Sequence, residues 1–302
     1  MAAISRAQLA KELEPGLNAL FGLEYARYGD ESAEIFETES SDRAFEEEVM
    51  LVGFGNAAEK AEGAGVQYDS ASEAYTSRYT HETIALAFAL TEEAVEDNLY
   101  DRLAARYTRA LARSMAQTKQ IKGATVLNNA FLTTSPIGDG AALCSAAHPS
   151  LSGNQRNLLE TPADLNETSL EDILIQIAGF TDERGLKIAV RGTKLLIPKE
   201  LQFIAERIIN SNLRPGSADN DINAMKSMGM LPEGAVVNHF FTDADAYFVK
   251  TDCPNGFKLF NRTPLKTAME GDFDTGNMRF KARERYAFGV SDWRCVYGTP
   301  GA

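Results

Sequence analysis

Residues 91–131 read TEEAVEDNLYDRLAARYTRALARSMAQTKQIKGATVLNNAF, a stretch with no proline and a single glycine, Gly123. The spacing predicts one long helix. Thr91 stands where an N-cap belongs, and Glu92, Glu93, Glu96 and Asp97 crowd the first turns, where carboxylates favour the positive end of the helix dipole. Arg102, Arg106, Arg109, Arg113, Lys119 and Lys122 follow toward the negative end. Val95, Leu99, Leu103, Tyr107, Leu111 and Met115 recur every four residues. That step gains about 40° per repeat on a helix of about 3.6 residues per turn, so the stripe is expected to wind round the rod. At about 1.5 Å per residue the rod is about 60 Å long, well beyond the usual ~11–12 residues. Such a strut suits an extended protein that borrows stability from its neighbours.

The chain has 302 residues, 44% of them apolar, enough for a real core and for two or more sub-domains. Its net charge of −13 argues against nucleic-acid binding through a general basic surface. Cys144, Cys253 and Cys295 form an odd, widely spaced set, which points to a reducing compartment. Met1 to Lys11 lacks the apolar core of a signal peptide, and the longest apolar run, Ile84 to Leu90, cannot span a bilayer.

Ahead of the long helix, Ser5 and Gln8 fit a capping box, and Leu9, Leu13, Leu17, Leu20 and Phe21 give an amphipathic helix with Pro15 as its bend. Either this arm lies on another molecule or it packs on its own chain. Asp30 to Glu48 then carries Asp30, Glu31, Glu34, Glu37, Glu39, Asp42, Glu46, Glu47 and Glu48 against the lone base Arg43. Val49 to Val52 is strand-like, Gly53 to Gly65 is glycine-rich, and Ala74 to Leu90 is strand-like again. Together these predict a long acidic hairpin with a flexible tip. An isolated hairpin is marginal in water and its edges invite pairing, so this one is expected to rest on another subunit.

Beyond the long helix, Ser169 is expected to cap a helix running to about Gly185. Ile188 to Ile197 reads as a strand, and Pro198 opens a helix to Asn210. Asn212 to Gly234 is a long polar loop. Val236–Phe241, Tyr247–Lys250 and Phe257–Phe260 are strand-like. From Asn277 to Tyr297 a last strand alternates Met278, Phe280 and Ala282 on one side with Arg279, Lys281, Arg283 and Arg285 on the other, and Gly289 suggests a bulge. Four cations on one strand face repel unless acids oppose them, and the Asp30–Glu48 acids are the candidates, from the same chain or a second copy.

Several motifs hint at other chemistry. Gly53-Phe-Gly-Asn-Ala-Ala58 with Asp69 imitates a dinucleotide fingerprint, but any helix from Asn56 to Glu62 is too short for a βαβ crossover. Asp219, Asp221 and Asn223 imitate the start of a calcium loop, with Ala224 and Met230 where glycine and glutamate belong. Cys144 and His148 could form a thiolate–imidazole pair, although no third group is assignable. No cofactor or metal is expected. Lys60, at the hairpin tip, is either a solvated lysine or one placed for a covalent bond to an Asn or Asp of a neighbour.

The order of these pieces resembles a tailed-phage major capsid protein. The resemblance rests on Leu90–Asn98 at the head of the helix and on Ser145, His148, Pro149 and Asn157 in a Ser-x-x-His-Pro…Asn pattern. It also rests on Gly185–Pro198 with Leu195–Lys199, and on Val236–Val249 with Thr242-Asp-Ala-Asp245. The nearest relatives look like the Mu-type major head subunits. The resemblance implies an α+β, HK-ninety-seven-type (Johnson) fold: an N-terminal arm (1–34), an E-loop (35–90) and a P domain (91–156) with spine helix 91–131. An A domain (157–271) and a returning P-domain strand with the C-terminus (272–302) complete it. It further implies a shell of hexamers and pentamers assembled in a host cytoplasm around double-stranded DNA. A portal, scaffolding proteins and, as a further option, decoration proteins would be partners; no membrane would be. Scaffolding would be a separate protein or absent. Inter-subunit contact candidates are Glu37, Glu39, Glu46, Glu47, Glu48, Lys60, Arg279, Lys281, Arg283 and Arg285. The rivals are an encapsulin-like compartment shell and, from another class, a soluble NAD-binding or Cys–His enzyme.

Overall fold

The computed structural model describes residues 6–63, 65–91, 100–213, 221–272 and 276–302. Expectations for Ser5, Glu92, Glu93, Val95, Glu96, Asp97, Leu99 and Asp219 lie outside them. A leading helix, α1 (Arg6–Arg27), packs on a second, α2 (Tyr100–Asn128). The arm therefore lies on its own chain, with Leu17 and Phe21 buried against Leu111, Ala112, Met115 and Phe280.

The described part of α2 is 29 residues, about 43 Å at ~1.5 Å per residue. Its buried stripe winds round the helix, as expected, along the four-residue row beside that of the large apolar residues. Ala104, Thr108, Leu111, Ala112, Met115, Ala116, Gln120, Ala124 and Leu127 are buried, while Tyr107 is 46% exposed. The row Ala104, Thr108, Ala112, Ala116, Gln120 and Ala124 steps by four, gaining about 40° each time, and its small residues let the helix lie close to the sheet beneath it. Gly123 serves the same end. A Cβ there would come 3.1 Å from Ser32, in the 3-10 turn Glu31–Glu34 that crosses the helix.

That sheet orders β1 (Glu37–Ser40), β8 (Phe257–Gly271), β9 (Met278–Val290) and β4 (Glu82–Leu90), with β1 parallel to β8 and the rest antiparallel. A second sheet orders β10 (Val296–Thr299), β7 (Tyr247–Thr251), β5 (Gly192–Ile197) and β6 (Ala235–Val237). Around it pack α3 (Glu167–Ala178) and α4 (Gln202–Asn210), with α5 (Ala224–Met228) against α4. Asn166, not Ser169, caps α3; Ser169 reciprocates as the third residue of a capping box, and the helix stops at Gly179, short of Gly185. Asn223, read as a calcium-loop position, is the buried N-cap of α5.

The hairpin is β2 (Phe45–Val52) with β3 (Ser72–Thr80), paired from Phe45↔Thr80 to Val52↔Ser72. The run expected as one strand from Ala74 to Leu90 breaks at His81. Its first half stays in the hairpin, and its second half, β4, joins β9. His81 is buried at the break, with Nε2 2.9 Å from Ser41 Oγ. Strand pairing thus crosses the segment limits drawn from sequence: β4 falls within 35–90 and β8 within 157–271, yet both flank β9. No helix follows the glycine pair Gly53/Gly55, so the dinucleotide fingerprint lacks its crossover.

Candidate inter-subunit surfaces

The hairpin has two unlike faces. Toward its own chain it turns Glu46, Glu48, Tyr75, Ser77 and Tyr79; outward it turns Phe45, Glu47, Val49, Leu51, Thr76, Arg78 and Thr80. The inner face is seated. Tyr79 packs edge-on against Phe260, with ring centroids 4.8 Å apart, and its hydroxyl meets Ser291 Oγ. Lys258, whose side chain is 6% exposed, is bound by Glu48 and by Glu39 at 3.0 Å. Burial opposes the charge on Lys258, but the two carboxylates outweigh it and hold its pKa above the ordinary lysine value. At the far end, Arg184 Nη1 reaches both oxygens of Asp69, at 3.0 and 2.9 Å, and Asp69 accepts from the Gly55 N–H.

The expectation that the hairpin has no partner in its own chain is therefore corrected. Most acids of the Asp30–Glu48 run find partners within the subunit. Glu31 meets His239 at 2.7 Å, Glu34 meets Lys194 at 2.8 Å, Glu46 accepts from Ser41 at 2.7 Å, and Glu47 lies 3.8 Å from Arg78. Glu37 is exposed and makes no ion pair among the described residues. Gly289, read as a bulge, sits in regular register opposite Lys258. Its function is room: a Cβ there would come 2.6 Å from the Tyr79 ring.

The outer face is a different surface. Val49 is 44% exposed, Leu51 68%, and near the tip Phe54, Val66 and Tyr68 are all exposed, Tyr68 at 94%. Lys60 is exposed among them. An apolar set of this extent on one projecting element is what a contact surface exposes before it is covered.

A second uncovered surface lies on the sheet, on the side away from α1 and α2. The row Arg279, Lys281, Arg283 and Arg285 runs along β9, flanked on β4 by Ala89, Ala87, Ala85 and Thr83 and on β8 by Glu270, Ala268, Lys266 and Thr263. Beside the small β4 neighbours Arg279, Lys281 and Arg283 are exposed, while Arg285 is half-buried. Arg279 pairs with Asp272, but Lys281, Arg283 and Arg285 make no ion pair among the described residues. No hairpin acid reaches this row, so the same-chain pairing left open by the sequence does not form.

Between the two sheets sits a buried hub. Asn157 is fully buried; its Nδ2 donates to the carbonyls of Leu143, Trp293 and Val296, at 2.7, 3.1 and 3.1 Å. Its Oδ1 accepts from the Ser145 N–H at 2.8 Å and faces His148 Nε2 at 3.0 Å. His148 Nδ1 is held by Asp139 at 2.6 Å, so both ring nitrogens are occupied and neither serves Cys144. Burial also pushes the Cys144 thiol well above its ordinary range, which leaves it protonated and unreactive. The Ser-x-x-His-Pro…Asn pattern is thus a structural joint.

Residues 74–298 match the family described as phage capsid protein. The match takes in α2, the hub and both larger sheets apart from β1 and the end of β10. The chain belongs to the phage capsid protein family. Similar solved structures share its fold at low identity. They include the virus-like particle from Pyrococcus furiosus, at 9% identity over 94% of this chain and 97% of that one, with TM-score 0.55. The capsid of Myoviridae phage XM1 is 13% identical over 89% of each chain, TM-score 0.54. A structure from Mycobacterium phage Adephagia is 13% identical over 91% of each, TM-score 0.53. No curated protein matches the sequence. This phage capsid protein has the α+β, HK-ninety-seven-type fold, and its function is that of a major shell subunit.

Sequence reasoning missed Lys258, Ser291, Arg184 and Lys194, the groups that take the acids. One signal was present: a lone lysine within the apolar strand Phe257–Phe260 is rarely buried without partners.

Proposed function

We propose that the phage capsid protein closes its shell by covering two surfaces that the single chain leaves open, the outer face of the hairpin and the basic row of β9. The observation that carries this reading is the row Lys281, Arg283 and Arg285, which has no acid opposite it on either neighbouring strand. The exposed acids Glu37, Glu39 and Glu47 of a second copy are its intended complement, since like charges in one row are stable only when opposed, whereas Glu46 and Glu48 are engaged within their own subunit. Lys60 would meet a neighbour at the hairpin tip.

In this reading residues 1–34 are the arm, 35–90 the E-loop, 91–156 and 272–302 the P domain, and 157–271 the A domain. The subunits form hexamers and pentamers in the host cytoplasm, and the shell holds double-stranded DNA through non-specific contacts. A portal completes the head, with scaffolding as a separate protein or absent and decoration proteins as a further option. Within the family, the resemblance to Mu-type head subunits supports that affiliation. Electron microscopy of the overexpressed chain tests the reading: closed shells or tubes are expected, and a discrete monomer or dimer under all conditions refutes it. Nucleic acid in particles from infected cells supports a phage head, whereas a protein cargo supports a compartment shell.

A further inference from the structure

Glu284 is a carboxyl on the buried side of β9. Its neighbours on that side are Phe280, Ala282 and Tyr286, turned to α1 and α2, and Glu284 itself is 4% exposed. Oε2 accepts one long bond, from Tyr25 Oη on α1 at 3.3 Å. Oε1 has no hydrogen-bond partner among the described residues, and neither has the buried hydroxyl of Tyr286. On one side Glu284 pairs with Ile84 of β4. On the other, β8 slips register between Asn261 and Lys266, so no β8 residue stands opposite.

The charged and titratable groups that face it come from every packed element: Tyr25 from α1, Asp30 from the turn after α1, Lys119 from α2 and Tyr286 from β9, with Glu82 of β4 beside Tyr286. Only Lys119 attracts a negative charge here, and it forms no ion pair with Glu284 among the described residues. Asp30 repels. Burial dominates and raises the Glu284 carboxyl above the ordinary glutamate value; Lys119 and the Tyr25 bond pull the other way without cancelling it.

We propose that Glu284 is a proton-operated latch for α1: neutral, it lets the leading helix seat on the sheet, and ionised beneath that helix it loosens the seat while the rest of the chain stays folded. Because the carboxyl is raised in the docked state, its contribution to docking is complete in acid and is lost as pH rises through the docked-state value. Burial supplies the coupling, since a carboxyl enclosed beneath α1 and α2 is disfavoured in its ionised form, and the Tyr25 bond works against it. The inference stands apart from how shells assemble. It requires only that α1 docks in the single subunit.

Hydrogen exchange of the full-length unassembled subunit tests it, with α1 protection read against that of α3, which touches none of these groups. From pH 5 to pH 8 the α1-to-α3 protection ratio of the natural chain should fall several-fold, because a carboxyl raised by docking ionises as pH climbs. Glu284→Gln keeps the shape and removes the charge, so its ratio at pH 8 should stay at the pH 5 level. Tyr25→Phe should shift both values and retain the pH dependence. A natural chain with equal ratios at the two pH values overturns the proposal. So does a Glu284→Gln subunit that fails to fold or protects α1 less than the natural chain at pH 8, since either result means that the charge is required.

Discussion

The imidazole of His148 lies flat on the indole of Trp293, ring centroids 4.4 Å apart and 4° from parallel. Trp293 is the only tryptophan in the sequence, so its emission reports on the hub that joins the two sheets. The orientation of Asn157 is over-determined, with Nδ2 serving three carbonyls and Oδ1 a backbone N–H.

Asn157→Ala strands these buried groups and should cost at least about 3 kcal/mol in chemical denaturation followed by Trp293 fluorescence. Asn157→Asp should be as damaging despite its near-identical shape, because a carboxylate cannot donate to those carbonyls. An Asp variant of natural stability would contradict this account of the hub.

Gly289→Ala places a methyl 2.6 Å from the Tyr79 ring. Overpacking there should cost about 1–3 kcal/mol and raise hydrogen exchange in β3. Combined with Tyr79→Ala, which empties the contested space, the loss should be clearly less than the sum of the single variants. Strict additivity would show that the two residues do not meet.

The hairpin seat has a defined alkaline limit. Lys258 is bound by Glu48 and Glu39, which raise its pKa against the opposing effect of burial. A cation raised in the folded state contributes fully below its unfolded value, near 10.5, and loses that contribution as pH climbs through the folded value. Seating should therefore be insensitive to Lys258 titration through neutrality and weaken only beyond the ordinary lysine range, as measured by exchange across β2 and β3. Glu48→Gln should weaken it by about 1–3 kcal/mol at pH 7. Glu37→Gln, on an exposed side chain without an ion pair, should leave it unchanged.

Local chemistry made much of this legible. Proline-free helical composition gave α2, alternation gave β9 with its cation row, and a glycine-rich break between strand-like runs gave the hairpin. What stayed hidden depends on residues far apart in sequence. Lys258 lies 210 residues from Glu48, and nothing local to either announces the other. The switch of partner at His81 was equally invisible: the chain turns from the polar SEAYTSRYT of β3 to the apolar ETIALAFAL of β4, but both read as strand and only the arrival of β9 separates them. The row that α2 buries was missed for a different reason: Ala104, Ala112, Ala116 and Ala124 carry no strong hydrophobic signal, yet they set the close approach of helix to sheet.

Two uncovered surfaces on a well-seated subunit are the core of this account, and charge reversal of the β9 row probes them most directly. With Arg279, Lys281, Arg283 and Arg285 all changed to Glu, the subunit should sediment as a folded monomer with natural Trp293 emission and form no shells under conditions where the natural chain does. Normal particles from that variant would contradict it.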